Sequence, residues 1–147
     1  VTERSMPYAD WLQRSVVAGA MSVTDAIGQV ATEIAADLNA QAIITSTISG
    51  ATARRVAMHR PSRPIIAPSP HVSTCRQLAL VWGVQPLLVE QFADTDTMIA
   101  TAVNAAQARG LVEEGDLVII TAGVPVGGSG LTNMVKAHRV GEEKGWR

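Results

Sequence analysis

The sequence predicts an α/β protein, a three-layer α/β/α sandwich on a five-stranded mixed sheet of order 3-2-1-4-5 whose last strand is antiparallel. Two observations carry this expectation. Short apolar runs, suited to burial on both faces, alternate with stretches whose apolar residues recur at helical spacing, as a parallel sheet covered on both sides requires. The alternation then breaks at Thr121 to Thr132, where Gly123, Pro125, Gly127, Gly128 and Gly130 exclude a crossover helix. A strand that returns without a crossover runs antiparallel.

Taken in order, Ala26, Ile27, Val30, Ala31, Ile34, Ala35 and Leu38 line one face of a helix, and Ser22 with Asp25 three residues on resembles a capping box. Ala42 to Ile44 is the first strand. The stretch TSTISGATARR (residues 45–55) leads into a second helix that carries Val56 and ends before Pro61. Pro64 to Ala67 is the second strand, Ser73 to Trp82 a helix stopped by Gly83, and Pro86 to Val89 the third strand. Asp94 or Thr95 caps a further helix with Met98, Ile99, Ala102, Val103 and Ala106 on one face, ended by Gly110. Leu117 to Ile120 is the fourth strand, and the alternating run Asn133 to Val140 is the antiparallel edge strand. Residues 1–21 read as a connecting arm, 22–140 as one domain, and 141–147 as a tail or linker.

Composition narrows the function classes. The chain has 147 residues, 47% of them hydrophobic, with a formal net charge of -1. That balance suits one globular core and gives no electrostatic bias toward nucleic acid or an anionic membrane. No apolar run approaches the roughly 20 residues of a membrane span. Cys75 is the single cysteine, which excludes an internal disulfide and a thiolate cluster and fits a reducing, cytoplasmic compartment.

Ligands of open α/β sheets bind beyond the carboxyl ends of the strands, where the strand order reverses. With strand one beside strand four, two loops meet there, Thr45 to Thr52 and the glycine-rich Ala122 to Leu131. An anion at the start of the second helix would meet the amides of Ser49 to Thr52 and the hydroxyls of Thr47, Ser49 and Thr52, with Arg54 or Arg55 supplying charge. The plainer reading has Ser49 capping the helix and Gly50 easing the turn. Neither loop has the spacing of a nucleotide-hydrolysing phosphate loop or of a dinucleotide fingerprint. His59, His71 and His138 stand apart with no metal-ligand spacing, and Cys75, with Leu78, Ala79 and Trp82 at helical spacing, reads as a small core residue. No convergent carboxylates suggest a magnesium site.

Three runs carry a resemblance: TDAIGQVATEIAADLNAQAIITSTISGATARRVAMHRPSRPIIAPSP, LALVWGVQPLL and GLVEEGDLVIITAGVPVGGSGLTNMVKAHRV. Together they span about residues 22 to 140 and resemble the carboxyl-terminal domain of pyruvate kinases, most of all the bacterial Bacillus type. TxTxSGxTxR followed by RP, and GDLVxITAGVPVGxxGxTNxxKxH, match in order and spacing. The resemblance implies an effector phosphate site at Thr47, Ser49, Gly50, Ala51 and Thr52, and a second effector loop at Gly128, Ser129 and Gly130. It assigns phosphoryl transfer, with magnesium and potassium, to a barrel domain outside this sequence, so the domain itself needs no cofactor and is not an enzyme in isolation. It also implies a homo-oligomer, tetrameric in the full enzyme, joined along the edge strand. Relatives activated by sugar bisphosphates carry a tryptophan and an arginine near the positions of Gln91 and Met98. Their absence here favours ribose 5-phosphate or AMP over fructose 1,6-bisphosphate. The competing class is a stand-alone phosphosugar-processing enzyme with His59 or His138 as acid or base.

Overall fold

The computed structural model describes residues 21–124, 126 and 131–142. Among the described residues nine elements follow one another: α1 (Val23–Asp37), β1 (Ala42–Thr45), α2 (Ala51–Met58), β2 (Ile65–Ser69), α3 (Val72–Leu78), β3 (Val84–Leu88), α4 (Thr95–Ala108), β4 (Leu117–Ala122) and β5 (Met134–Arg139). They form one five-stranded sheet of order β3-β2-β1-β4-β5. All pairings are parallel except β4 with β5, as expected. The expected connecting arm, all but Met21, falls on residues outside the described set, as does most of the expected tail.

Side-chain alternation along the strands sorts the core into layers. Ile43, Ile65 and Ile119 pack under α1 and α2 with Ala31, Ala35, Val56 and Ala57. Ala53, Ala67 and Leu78 extend that layer under α3. Ile44, Ile66, Val118 and Ile120 face the other way, against Met98, Ile99, Ala102, Val103 and Ala106 of α4. Every residue of β1 and β2 is buried, which is why these strands read as apolar runs up to their last residues, Thr45 and Ser69.

Capping follows the sequence at two helices. The Ser22 hydroxyl accepts from the Asp25 amide at 3.1 Å, and Asp94 accepts from the Thr97 amide at 2.8 Å. Two boundaries differ from expectation. Helix α3 stops at Leu78 rather than Trp82, because Leu80, Val81 and Val84 switch to three-residue bonds with Gln77, Leu78 and Val81. Those tighter turns bring the chain down to the sheet, where the Gly83 carbonyl accepts from the Ile65 amide at 2.9 Å. Strand β3 therefore starts two residues early, at Val84, and contains Pro86, which an edge strand tolerates.

One buried polar pair stands out at the carboxyl end of the sheet. Thr45 and Thr121 face each other across β1 and β4, both fully buried, and neither Oγ1 has a hydrogen-bond partner among the described residues. An unpaired buried hydroxyl costs more than the methyl of the same shape. Thr121→Val is therefore expected to raise the unfolding free energy by about 1 kcal/mol in urea titration. A fall in stability would show that the hydroxyl is bonded in solution.

Candidate functional site

Strand order reverses between β1 and β4, and the loops leaving their carboxyl ends form a cleft of about 60 Å3. That is roughly the space of two waters, the scale of one tetrahedral anion. Ser46, Thr47, Ser49, Thr52 and Thr132 give it a wall of hydroxyls, and Phe92, Met98, Val126 and Leu131 an apolar wall. No charged side chain lines it among the described residues.

The hydroxyl wall is shaped by Gly50, which is the N-cap of α2 with φ of 86°. A left-handed backbone suits glycine, and a Cβ here would also lie 3.2 Å from Leu78 Cδ2. Ser49 is therefore not the N-cap, contrary to the simplest reading of the sequence. Instead, Thr47 Oγ1 accepts from the Gly50 amide at 2.8 Å and Ser49 Oγ accepts from the Ala51 amide at 3.3 Å. Two of the four amides expected to meet an anion are thus engaged within the loop, while those of Ser49 and Thr52 have no acceptor among the described residues. The hydroxyl protons of Thr47 and Ser49 also lack an acceptor there, and the buried Ser46 Oγ has no partner at all. Unengaged donors at the positive end of a helix dipole are what an anion seeks.

The expected cations are elsewhere. Arg55 pairs with Asp25 of α1, and the hydrogen bond from the Ser22 hydroxyl, followed by the Arg55 contact, holds the Asp25 carboxyl below its ordinary pKa. Arg54 runs under the loop, donating to Gln77 Oε1 at 3.1 Å and to the Ser49 carbonyl at 3.5 Å. It braces the turn and does not line the cleft.

The second loop is described at its two ends and at Val126; Gly128, Ser129 and Gly130 lie outside the described residues. Its neck is closed by Asn133, whose side chain accepts from the Val124 amide at 2.8 Å and donates to the Val124 carbonyl at 2.7 Å. Thr132 then reaches Thr52, hydroxyl to hydroxyl at 2.6 Å. Sequence reasoning passed over Ser46, Phe92, Thr132 and Asn133. Ser46 lies inside the hydroxyl-rich TSTISG run, and Thr132 and Asn133 are fixed positions of the GxTNxxKxH motif; Phe92 carried no such signal. Met98 forms part of the apolar wall and is 2% exposed, whereas Gln91 is exposed and outside the lining.

The catalytic candidates do not converge on this cleft. His59 and His71 are exposed at helix ends, and His138 lies on β5, where burial and then Lys136 lower its pKa. Cys75 is half-buried, 3.8 Å from the Ser69 carbonyl, and burial pushes its thiol pKa up, as suits a packing residue. Among the described residues no three His, Cys, Asp or Glu side chains are placed to hold a metal ion.

Residues 25–138 match the family described as "Pyruvate kinase, alpha/beta domain". The chain belongs to that family. It is 44% identical over 141 residues to a pyruvate kinase of Geobacillus stearothermophilus, covering 96% of the chain and 24% of that relative. It is 48% identical over 122 residues to one from Staphylococcus epidermidis and 47% identical over 122 residues to one from Staphylococcus aureus. Each of these two alignments covers 83% of the chain and 21% of the relative. The expected likeness to the carboxyl-terminal domain of Bacillus-type pyruvate kinases is borne out. The chain spans only about a quarter of the relatives' length, and the rest of such a protein lies outside it. No helix among the described residues is long and apolar enough to cross a membrane.

Proposed function

We propose that the chain is the effector-binding and assembly domain of a cytoplasmic pyruvate kinase, and that its cleft senses a phosphorylated metabolite without transforming it. The observation that supports this most is the set of unengaged donors, from Ser46, Thr47 and Ser49, at the N-terminus of α2 in a cleft with no acid or base in its described lining. Transfer of a phosphoryl group from phosphoenolpyruvate to ADP, with magnesium and potassium, belongs on this reading to a barrel domain outside the chain. Effector binding would bias a homo-oligomer toward the state that binds the effector more tightly.

The apolar wall supports a ligand with one phosphate. Phe92, Met98, Val126 and Leu131 offer nothing to a second phosphate, so ribose 5-phosphate or AMP fits better than fructose 1,6-bisphosphate. A ligand at ten times its Kd stabilises a domain by about 1.4 kcal/mol, or roughly 3 to 6 °C in melting temperature here. A rise of that size with ribose 5-phosphate or AMP at millimolar concentration is the expected result of a thermal-shift titration. No rise with any phosphorylated metabolite would count against the proposal.

Assembly is assigned to β5, the sheet edge. Its ladder to β4 includes a bond from the Val140 amide to the Asp116 carbonyl, and antiparallel pairing alternates. The amides of His138 and Lys136 therefore face β4, and those of Ala137 and Val135 face outward. An outward row is open to a second copy of the strand. Val135→Pro removes one outward donor without touching the β4 ladder. Light scattering is expected to report oligomers for the parent and monomers for this variant; equal masses would refute the assignment.

A further inference from the structure

We propose that anion occupancy of the cleft is relayed to the root of β5 through the hydroxyl pair Thr52 and Thr132. The proposal rests on the reading of the cleft as a phosphate site. Beyond the helix terminus, that reading is supported by Ser46, a cleft residue 9% exposed whose Oγ has no partner among the described residues.

Thr52 opens α2 and Thr132 precedes β5, 80 residues later in the chain, yet their Oγ1 atoms lie 2.6 Å apart in a buried contact that either can donate. The pair thus has two arrangements of one shared hydrogen bond. A phosphate dianion has only lone pairs to offer. If Thr52 turns its proton to the anion, Thr132 must donate to Thr52, and the two arrangements become one. A chain of bonds running Thr132 to Thr52 to anion is polarised in one direction, and each bond strengthens the next.

Thr132 is placed to carry that consequence. It is 2% exposed, and its amide donates to Thr24 Oγ1, in the first turn of α1, at 3.2 Å. The next residue, Asn133, donates its amide to the Ala122 carbonyl at 3.1 Å and clamps Val124 with its side chain. Two consecutive residues therefore tie β5 to α1, α2 and β4. Fixing the hydroxyl direction at this junction orders the point from which the edge strand departs, so a ligand can alter the edge without a large movement.

The test uses inorganic phosphate as the probe, with calorimetry for affinity and amide hydrogen exchange for the junction. In the parent chain, saturating phosphate is expected to slow exchange of the Thr132 and Asn133 amides about threefold or more while leaving Ile65, bonded to Gly83 at the other end of the sheet, unchanged. Thr132→Val should weaken phosphate binding about tenfold and abolish the slowing, and Thr132→Ser should keep both. Thr24→Val removes only the acceptor of the Thr132 amide, so affinity should stay within about twofold while the slowing at Thr132 disappears. Parent-like affinity and slowing in Thr132→Val would overturn the relay, as would slowing retained in Thr24→Val should Thr132→Val not fold. A parent chain that binds no phosphate overturns the cleft reading itself, a separate outcome that removes the relay with it.

Discussion

Gly123→Ala is expected to lower the unfolding free energy of the chain by about 2 to 3 kcal/mol, at the upper end of what overpacking costs. The reason is space. A Cβ at Gly123 would lie 2.3 Å from the Leu131 carbonyl oxygen and 3.3 Å from its carbon, and both are backbone. Neither segment can retreat: Gly123 follows directly on β4, while Leu131 precedes Thr132 and Asn133, which hold the neck closed through Thr24, Thr52 and Val124. A flexible side chain would swing away from such an intrusion; a carbonyl at a strand root has to carry its strand with it. Urea unfolding should show a lower midpoint with an unchanged slope. The variant should also respond less to phosphate, because Thr132 shifts with Leu131. Stability within about 0.5 kcal/mol of the parent, the scatter of an ordinary surface change, would mean that the neck is not tight in solution.

Ser49→Asp is expected to abolish stabilisation by phosphorylated ligands while leaving the fold intact. Ser49 is exposed, and its Oγ accepts a 3.3 Å bond from the Ala51 amide, which an aspartate oxygen can take over. A carboxylate at a helix N-terminus is favourable, so the ligand-free melting temperature should match or exceed that of the parent. The same carboxylate occupies the ground on which a phosphate would rest. Loss of a hydrogen bond to a charged group costs about 1.5 to 3 kcal/mol, ten- to a hundredfold in affinity, and like-charge repulsion adds to it. Ser49→Ala, which loses the hydroxyl without gaining charge, should weaken binding by the smaller of these factors. If the variant melts like the parent and still gains several degrees with ribose 5-phosphate or AMP, the ligand binds away from this loop.

The two variants also mark where sequence reading runs out. The serine, the glycine and the threonines of the first loop stood out as a candidate site because hydroxyls and a glycine between a strand and a helix are a local pattern. Which of them caps the helix was not legible. Ser49 has the usual capping chemistry, yet Gly50 takes the position with φ of 86°, because the turn needs a left-handed residue and the Thr47 hydroxyl already holds the Gly50 amide. Arg54 and Arg55 looked alike in sequence, but Arg55 meets Asp25 and Arg54 meets Gln77, 30 and 23 residues away. Helical spacing sets which face a side chain is on, and only the packed neighbours decide what it touches.

Layering and strand direction were properties of the sequence by itself. Burial on both faces makes Ala42 to Ile44 and Ile65 to Pro68 apolar, amphipathic spacing marks α1 and α4, and a glycine-rich return permits only an antiparallel β5. The early end of α3, the unpartnered hydroxyls of Thr45 and Thr121, the neck at Gly123 and the contact of Thr52 with Thr132 were decided only by the tertiary structure. Periodicity is written in residues a few positions apart, whereas these features arise where segments as much as 108 residues apart meet at distances set by strand order and register.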